Sequence, residues 1–331
     1  MNPYFKGHTM KLFSAKSLCL LAALVLSTAT VVSAGALTEK LGEISVTIKT
    51  GRGEGSGTLF VRKDGNDTTA YVWTAGHVVA SLRSVRDVID TKTGTSRKIV
   101  EFKDAQIVQE LNQDGRRIGE IKMDAEIIRY SDAEQGEDLA LLRVRKKNFV
   151  PAEQTTDFYA EDKIPLPGTE LFHVGSLLGQ VGANSLTSGI VSQTGRVISF
   201  GANSVIFDQT TVTAFPGSSG GGVFLKDGGL YMGMLVRGAG EQFNLIVPVR
   251  RMRDWARRSG VEFAIDHKVK MATEEELRKM TIEDSGLPDS IRNYSDKAGG
   301  KGDYQYLFRY YPDSTVTIRQ LLDTPFRLSP R

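Results

Sequence analysis

From about residue 41 to residue 250, short apolar runs alternate with clusters of turn-forming residues. The runs are rich in Val, Ile, Thr and aromatic side chains, and long helical periodicity is scarce. Strands are predicted at EISVTIKT, GTLFVRK and TAYVWTAG, with KDGND turning the second into the third. AQIVQEL and GEIKMDAEIIRY flank NQDGRR as the arms of a hairpin. LALLRVR, ELFHVG, LTSGIVSQ, SVIFDQTTV, GGVFLK, LYMGMLV and FNLIVPV follow. A chain this dense in short strands builds a barrel or a sandwich.

One helix stands apart, VRRMRDWARRSG at residues 249–260, stopped by Gly260 and turning Met252 and Trp255 inward. Its arginines read as a solvated face rather than a membrane or polyanion patch. Beyond residue 262 the character changes. TEEELRKM opens with a capping box between Thr273 and Glu276, SDKAGGKGD reads as a linker, and YQYLFRYY with STVTIRQLL forms a last strand and short element. Residues 35–262 are therefore expected to form the principal domain and 263–331 an accessory tail.

The amino terminus changes the meaning of the charge. Lys6, Lys11 and Lys16 precede the apolar run LCLLAALVLSTATVV, and Val32-Ser33-Ala34 offers the small residues of a cleavage site. Residues 1–34 are expected to be an export signal, with Met10 as an alternative start. The competing reading is an uncleaved anchor over residues 17–38, which the frequent Ser and Thr of its second half weaken. Export would place the mature protein in the periplasm or outside the cell. The formal charge of +3 comes entirely from those three lysines, so the remainder is neutral and nonspecific nucleic-acid binding loses its electrostatic drive. Cys19, the only cysteine among 331 residues, lies in the same segment, leaving the mature chain without disulfide or thiol chemistry.

The stretch TAFPGSSGGGVF, residues 213–224, is the strongest candidate for chemistry. Glycines supply positive φ and close backbone approach, which turns, phosphate cradles and nucleophile loops all use. A nucleophilic serine needs a base in hydrogen-bond reach and a group to orient that base. His8 falls in the leader, His173 within the apolar strand ELFHVG, and His267 in the charged tail. His77, in VWTAGHVV, sits at a strand-to-loop junction. Asp138 stands at the entrance to an apolar strand, whereas Asp87, Asp90 and Asp132 have polar surroundings. Alone, such an Asp reads as a turn residue. GSSGG also satisfies the α/β-hydrolase pattern, but that fold needs its acid and histidine after the serine, where only His267 remains. No Gly-Lys-Ser/Thr follows the glycines to cradle a phosphate.

TAGH at 74–77, DLALLRV at 138–144, SLTSGIVSQTGR at 185–196 and PGSSGG at 216–221 together resemble the chymotrypsin-like serine proteases. They are similar in particular to the bacterial HtrA-type branch and its disulfide-free glutamyl-endopeptidase relatives. The resemblance runs from about residue 41 to 260 and includes GSGTLF at 55–60. It implies an all-β fold of two six-stranded antiparallel barrels with a C-terminal helix. Ser219 would be the nucleophile, His77 the general base and then acid, and Asp138 the orienter, with Gly217 and Ser219 N–H groups as the oxyanion hole. The implied reaction is peptide hydrolysis through an acyl-enzyme on exported or envelope polypeptides, with no metal or cofactor.

The resemblance also places Thr213, six residues before Ser219, at the base of the primary specificity pocket, with Val236, Gly238 and Asn244 on its walls. With no acid at the base and no histidine to read Glu, small or medium uncharged side chains are expected there. The tail is short for the PDZ module common among HtrA proteins and shows no carboxylate-binding loop. The competing class is a latent or silent protease fold that holds a partner under control of the tail.

Overall fold

The computed structural model describes residues 34–284, apart from residues 90, 114, 160–162, 201–202 and 239–241. The expected export signal, except Ala34, and the region from SDKAGGKGD onward lie outside the described residues. Among the described residues, no helix is long and apolar enough to cross a membrane.

A helix, α1 (Ala34–Glu43), leads into β1 (Ser45–Lys49), β2 (Glu54–Asp64) and β3 (Asp67–Thr74). A single turn, α2 (Gly76–Val79), precedes a ribbon of β4 (Arg83–Ile89) and β5 (Ser96–Phe102). Then come β6 (Ala105–Gln113), β7 (Arg116–Ser131) and β8 (Leu139–Val144). The second half contains β9 (Glu170–Gly175), β10 (Ser185–Phe200), β11 (Asn203–Thr210), β12 (Gly222–Leu225), β13 (Tyr231–Gly238) and β14 (Asn244–Pro248). Two further helices follow, α3 (Val249–Arg258) and α4 (Glu274–Lys279).

Strands β1, β2, β3, β8, β7 and β6 close into one antiparallel barrel, and β10, β11, β14, β13, β12 and β9 into a second. The two-barrel architecture and all twelve predicted barrel strands are present. Each strand turns one side inward: Leu59, Val72, Ile107 and Leu142 are buried in the first barrel, and Leu171, Val191, Val223 and Ile246 in the second. Closing both sheets leaves no barrel edge unpaired. The β2–β3 turn uses Gly65 at φ 59°, and Gly115 at φ 72° serves the predicted β6–β7 hairpin.

Helix α3 seals the second barrel against the first. Met252 and Trp255 are fully buried, as the periodicity predicts, and Trp255 meets Trp73 edge-on at 5.9 Å between ring centroids. Its arginines depart from a purely solvated face. Arg250 grips the buried Asp208 at 2.6 Å, and Arg251 is itself buried.

Past α3 the chain runs back over the first barrel. Arg62 donates to the carbonyls of Phe263, Asp266 and Val269, and Trp73 Nε1 donates to Ala264 O at 2.7 Å. The Thr273–Glu276 capping box forms as predicted at the start of α4. Ile282 and Asp284 then exchange backbone hydrogen bonds with Tyr130, extending β7 by a parallel bridge.

Candidate active site

His77 lies in the one-turn helix α2 at the end of β3, and Asp138 immediately precedes β8, the neighbour of β3. Gly76 makes the approach possible. A Cβ there would come within 2.3 Å of Ser131 O and 3.3 Å of the Asp138 carbonyl carbon, so any side chain would push the two segments apart. His77 Nδ1 sits 3.0 and 3.1 Å from the two carboxylate oxygens of Asp138, and the His77 backbone N–H donates to Oδ1 at 3.0 Å. A carboxylate only accepts, so Nδ1 carries the proton and Nε2 is left with its lone pair. Asp138 holds φ 54°, a left-handed backbone that Asp tolerates better than most side chains.

The Asp138 side chain is 3% exposed, that of His77 26%. Burial alone would raise the Asp138 carboxyl. The charge of His77 and its hydrogen bonds, with Arg237 beyond, outweigh burial and hold it well below the usual carboxylate range. Arg237 comes from the other barrel, on β13. Its NH2 lies 3.8 Å from Asp138 Oδ2 and donates to Ala133 O at 3.1 Å.

The Ser219 loop docks against the same corner. Ser56 N–H donates to Ser219 O at 2.8 Å, and Gly220, at φ 87°, lies so close to Thr74 and Ala75 that a Cβ would meet Ser56 O at 2.1 Å. The loop carrying Ser219 is thereby set against the turn carrying His77.

Before the serine, Ser218 N–H donates to Phe215 O at 2.9 Å and closes a tight turn, with Gly217 at φ 92°. The Ser218 hydroxyl donates to Phe215 O at 2.6 Å and accepts from Phe215 N–H at 3.1 Å. Leu178 N–H donates to Pro216 O at 2.7 Å, pulling that carbonyl to one side and turning the Gly217 N–H to the other. Among the described residues, no backbone carbonyl accepts from the Gly217 or Ser219 N–H. The Ser56 hydroxyl secures the turn from below, donating to Gly217 O at 2.7 Å and accepting from Ser176 N–H at 2.7 Å.

The trypsin-like peptidase domain family matches residues 55–234, more than half of the chain. The chain belongs to the trypsin-like peptidase family. Residues 55–234 thus carry a trypsin-like peptidase domain. Solved structures similar to this chain include the serine endoprotease from Yersinia pestis and Deg5. The first is 18% identical with a TM-score of 0.48, over 69% of this chain and 66% of that one. The peptidase therefore spans just under two thirds of that protein's length. Deg5 is 20% identical with a TM-score of 0.47, over 70% of this chain and 95% of that one. No curated protein sequence matches the peptidase.

The expected pocket residues lie close together in the peptidase. Asn244 pairs with Gly238 across β13 and β14, and its Nδ2 donates to Val212 O, next to Thr213. Val236 is buried one residue before Arg237. Ser56, Leu178 and Arg237 had no place in the sequence reading. Ser56 falls inside the GSGTLF match, and Arg237 is a cation in an otherwise apolar run, which is the signal that could have singled it out.

His173 and His267 stand apart from His77. His173 is fully buried, with Nδ1 donating to Gly222 O at 3.0 Å. Burial pushes it down to about 4, opposed only by that hydrogen bond. His267 packs on Phe60 at 4.4 Å between centroids.

Proposed function

We propose that the protein is a serine endopeptidase in which Ser219 attacks the scissile carbonyl and His77 Nε2 takes its proton. Asp138 holds the imidazole in the tautomer that leaves Nε2 basic and stabilises the imidazolium that forms. The protonated imidazole then protonates the leaving amine, and water releases the acyl group by the same steps in reverse. The Gly217 and Ser219 N–H groups stabilise the tetrahedral oxyanion; one such donor is worth about 3–4 kcal/mol in the transition state. Thr213, Val236, Gly238 and Asn244 line the pocket beside them. The observation that carries this reading is the paired Asp138–His77 contact, at 3.0 and 3.1 Å, beside the loop that bears Ser219.

The lysine-led apolar segment with Val32-Ser33-Ala34 supports export, so the reading includes action on polypeptides outside the cytoplasm. The chemistry is tested by fluorophosphonate labelling of the purified protein with peptide mass spectrometry. Label is expected on Ser219 alone, absent in Ser219→Ala and lost in His77→Ala. A folded protein that takes no label at Ser219 overturns the reading.

A further inference from the structure

Arg237 is the last residue but one of β13, and the register of β13 on β14 slips by one residue between Leu235 and Arg237. Such a bulge re-aims a neighbouring side chain, and here the guanidinium leaves the second barrel for the loop before β8. Its Nη2 donates to Ala133 O at 3.1 Å and lies 3.8 Å from Asp138 Oδ2. The two anchor points belong to one closed loop, because the Gly136 and Asp138 N–H groups both donate to Asp132 O, at 3.0 and 3.2 Å. On β13, Leu235 O accepts from Gly220 N–H at 2.7 Å and Leu235 N–H donates to Gly221 O at 3.0 Å. Arg237 therefore bridges the strand that holds the Ser219 loop and the loop that holds Asp138.

The bridge also brings charge into a place with little water. The side chains of Asp138 and Arg237 are 3% and 15% exposed, so their interaction is weakly screened. Oδ1 accepts from the His77 backbone N–H and faces Nδ1, while Oδ2 faces both Nδ1 and Arg237. One carboxylate thus serves two cations whenever His77 is protonated. The other charged groups around Asp138 have partners of their own. Asp132 accepts from the Tyr130 hydroxyl and from the Glu134 and Gln135 N–H groups, and Glu137 is held by Arg251 and Arg258. Burial, with Asp132 and Asp138 nearby, raises Tyr130, which stays neutral. A fixed positive charge on the carboxylate disfavours a second one on the imidazole.

We infer that Arg237 is a positioning residue that acts through Asp138: it clasps the carboxylate across the two barrels and shares its charge, which carries activity to lower pH than Asp138 and His77 alone would sustain. The assignment rests on the protease reading and deepens it. The test is kcat/KM against pH on one peptide substrate, for the purified full-length protein and its Arg237→Gln, Arg237→Met and Arg237→Lys variants. The acid limb of that profile reports the free enzyme. In both neutral variants the limb is expected to move up by about half to one pH unit, with KM on the plateau little changed. Arg237→Lys, which keeps the charge, should restore most of the shift. A limb that stays in place in the neutral variants overturns the inference and leaves the protease reading intact. A raised KM with kcat unchanged does the same, since it marks a residue that binds substrate. Loss of folding in both neutral variants would make Arg237 a structural residue and also overturns it. A wild type that cleaves no peptide and takes no label on Ser219 overturns both readings.

Discussion

Glu137 and Arg251 form a buried ion pair, 2.5 Å between Oε2 and Nε, at the residue preceding Asp138. Arg258 reaches the other carboxylate oxygen at 2.7 Å, and Ser131 Oγ accepts from the Glu137 backbone N–H. The residue preceding Asp138 is thus anchored by α3, a helix that follows the second barrel. Removing one partner of a buried pair leaves a charge with no solvent, at a cost of about 3–5 kcal/mol. Because Arg258 still reaches Glu137, Arg251→Met is expected to lower stability by less than that, read from urea denaturation near pH 7. Arg251→Lys should recover only part of it, since it cannot reproduce the bond to Ile206 O as well as that to Glu137.

Gly76→Ala tests the approach of His77 to Asp138 without touching either side chain. The added methyl must displace Ser131 O or α2 by more than half an ångström, judged from the 2.3 Å it would otherwise leave. Misplacement of about 1 Å at a reacting group costs on the order of 10²-fold. The variant is expected to lose about that factor in kcat with KM little changed, measured on one peptide substrate alongside circular dichroism to establish folding.

His173 makes the second barrel sensitive to acid. Its pKa is about 4 in the folded protein against an unfolded value of about 6.5, so the unfolded chain binds the extra proton first as pH falls. Its full contribution is present above about pH 6.5 and is lost progressively down to about pH 4, roughly 3 kcal/mol in all. Asp138, held below its ordinary range, adds its own loss only at still lower pH, beneath the unfolded carboxylate range of about 3.9. His173→Asn keeps a donor for Gly222 O and does not titrate. Its unfolding free energy should change much less than that of the wild type between pH 7 and pH 4.5, in parallel urea titrations.

Two truncations separate the parts of the tail. Ending the chain at residue 262 removes the buried Phe263, Ala264 and Ile265 and leaves the Arg62 guanidinium without its three carbonyl partners. That form is expected not to fold. Ending it at residue 284 retains all of these contacts, together with Asp284 on Trp255 Nε1. This second form should keep a cooperative thermal transition and label Ser219 at least as fast as the full chain.

The barrel strands were legible because they are short, largely buried runs of apolar and β-branched residues, as in EISVTIKT and LALLRVR, set between turn-forming clusters. The β4–β5 ribbon was not. RSVRDVI is exposed along nearly its whole length, so burial writes no alternation into it. TAGH and PGSSGG pointed to His77 and Ser219 because local backbone geometry demands those glycines. The supports of the site left no such trace. Glu137 lies 114 positions from Arg251 and Arg237 lies 104 from Ala133, and such pairings belong to the fold alone.

The return of residues 263–284 across the first barrel also has a meaning in time. All six strands of that barrel are synthesised before residue 145, yet Arg62, Trp73 and Tyr130 find their partners at residues 263–284. A nascent chain still lacking those residues can close the barrel's sheet but cannot satisfy these buried donors. Order of synthesis and order of completion are opposite for this half of the molecule. The half that carries His77 and Asp138 is therefore completed last, after the second barrel and the helix that follows it have been made.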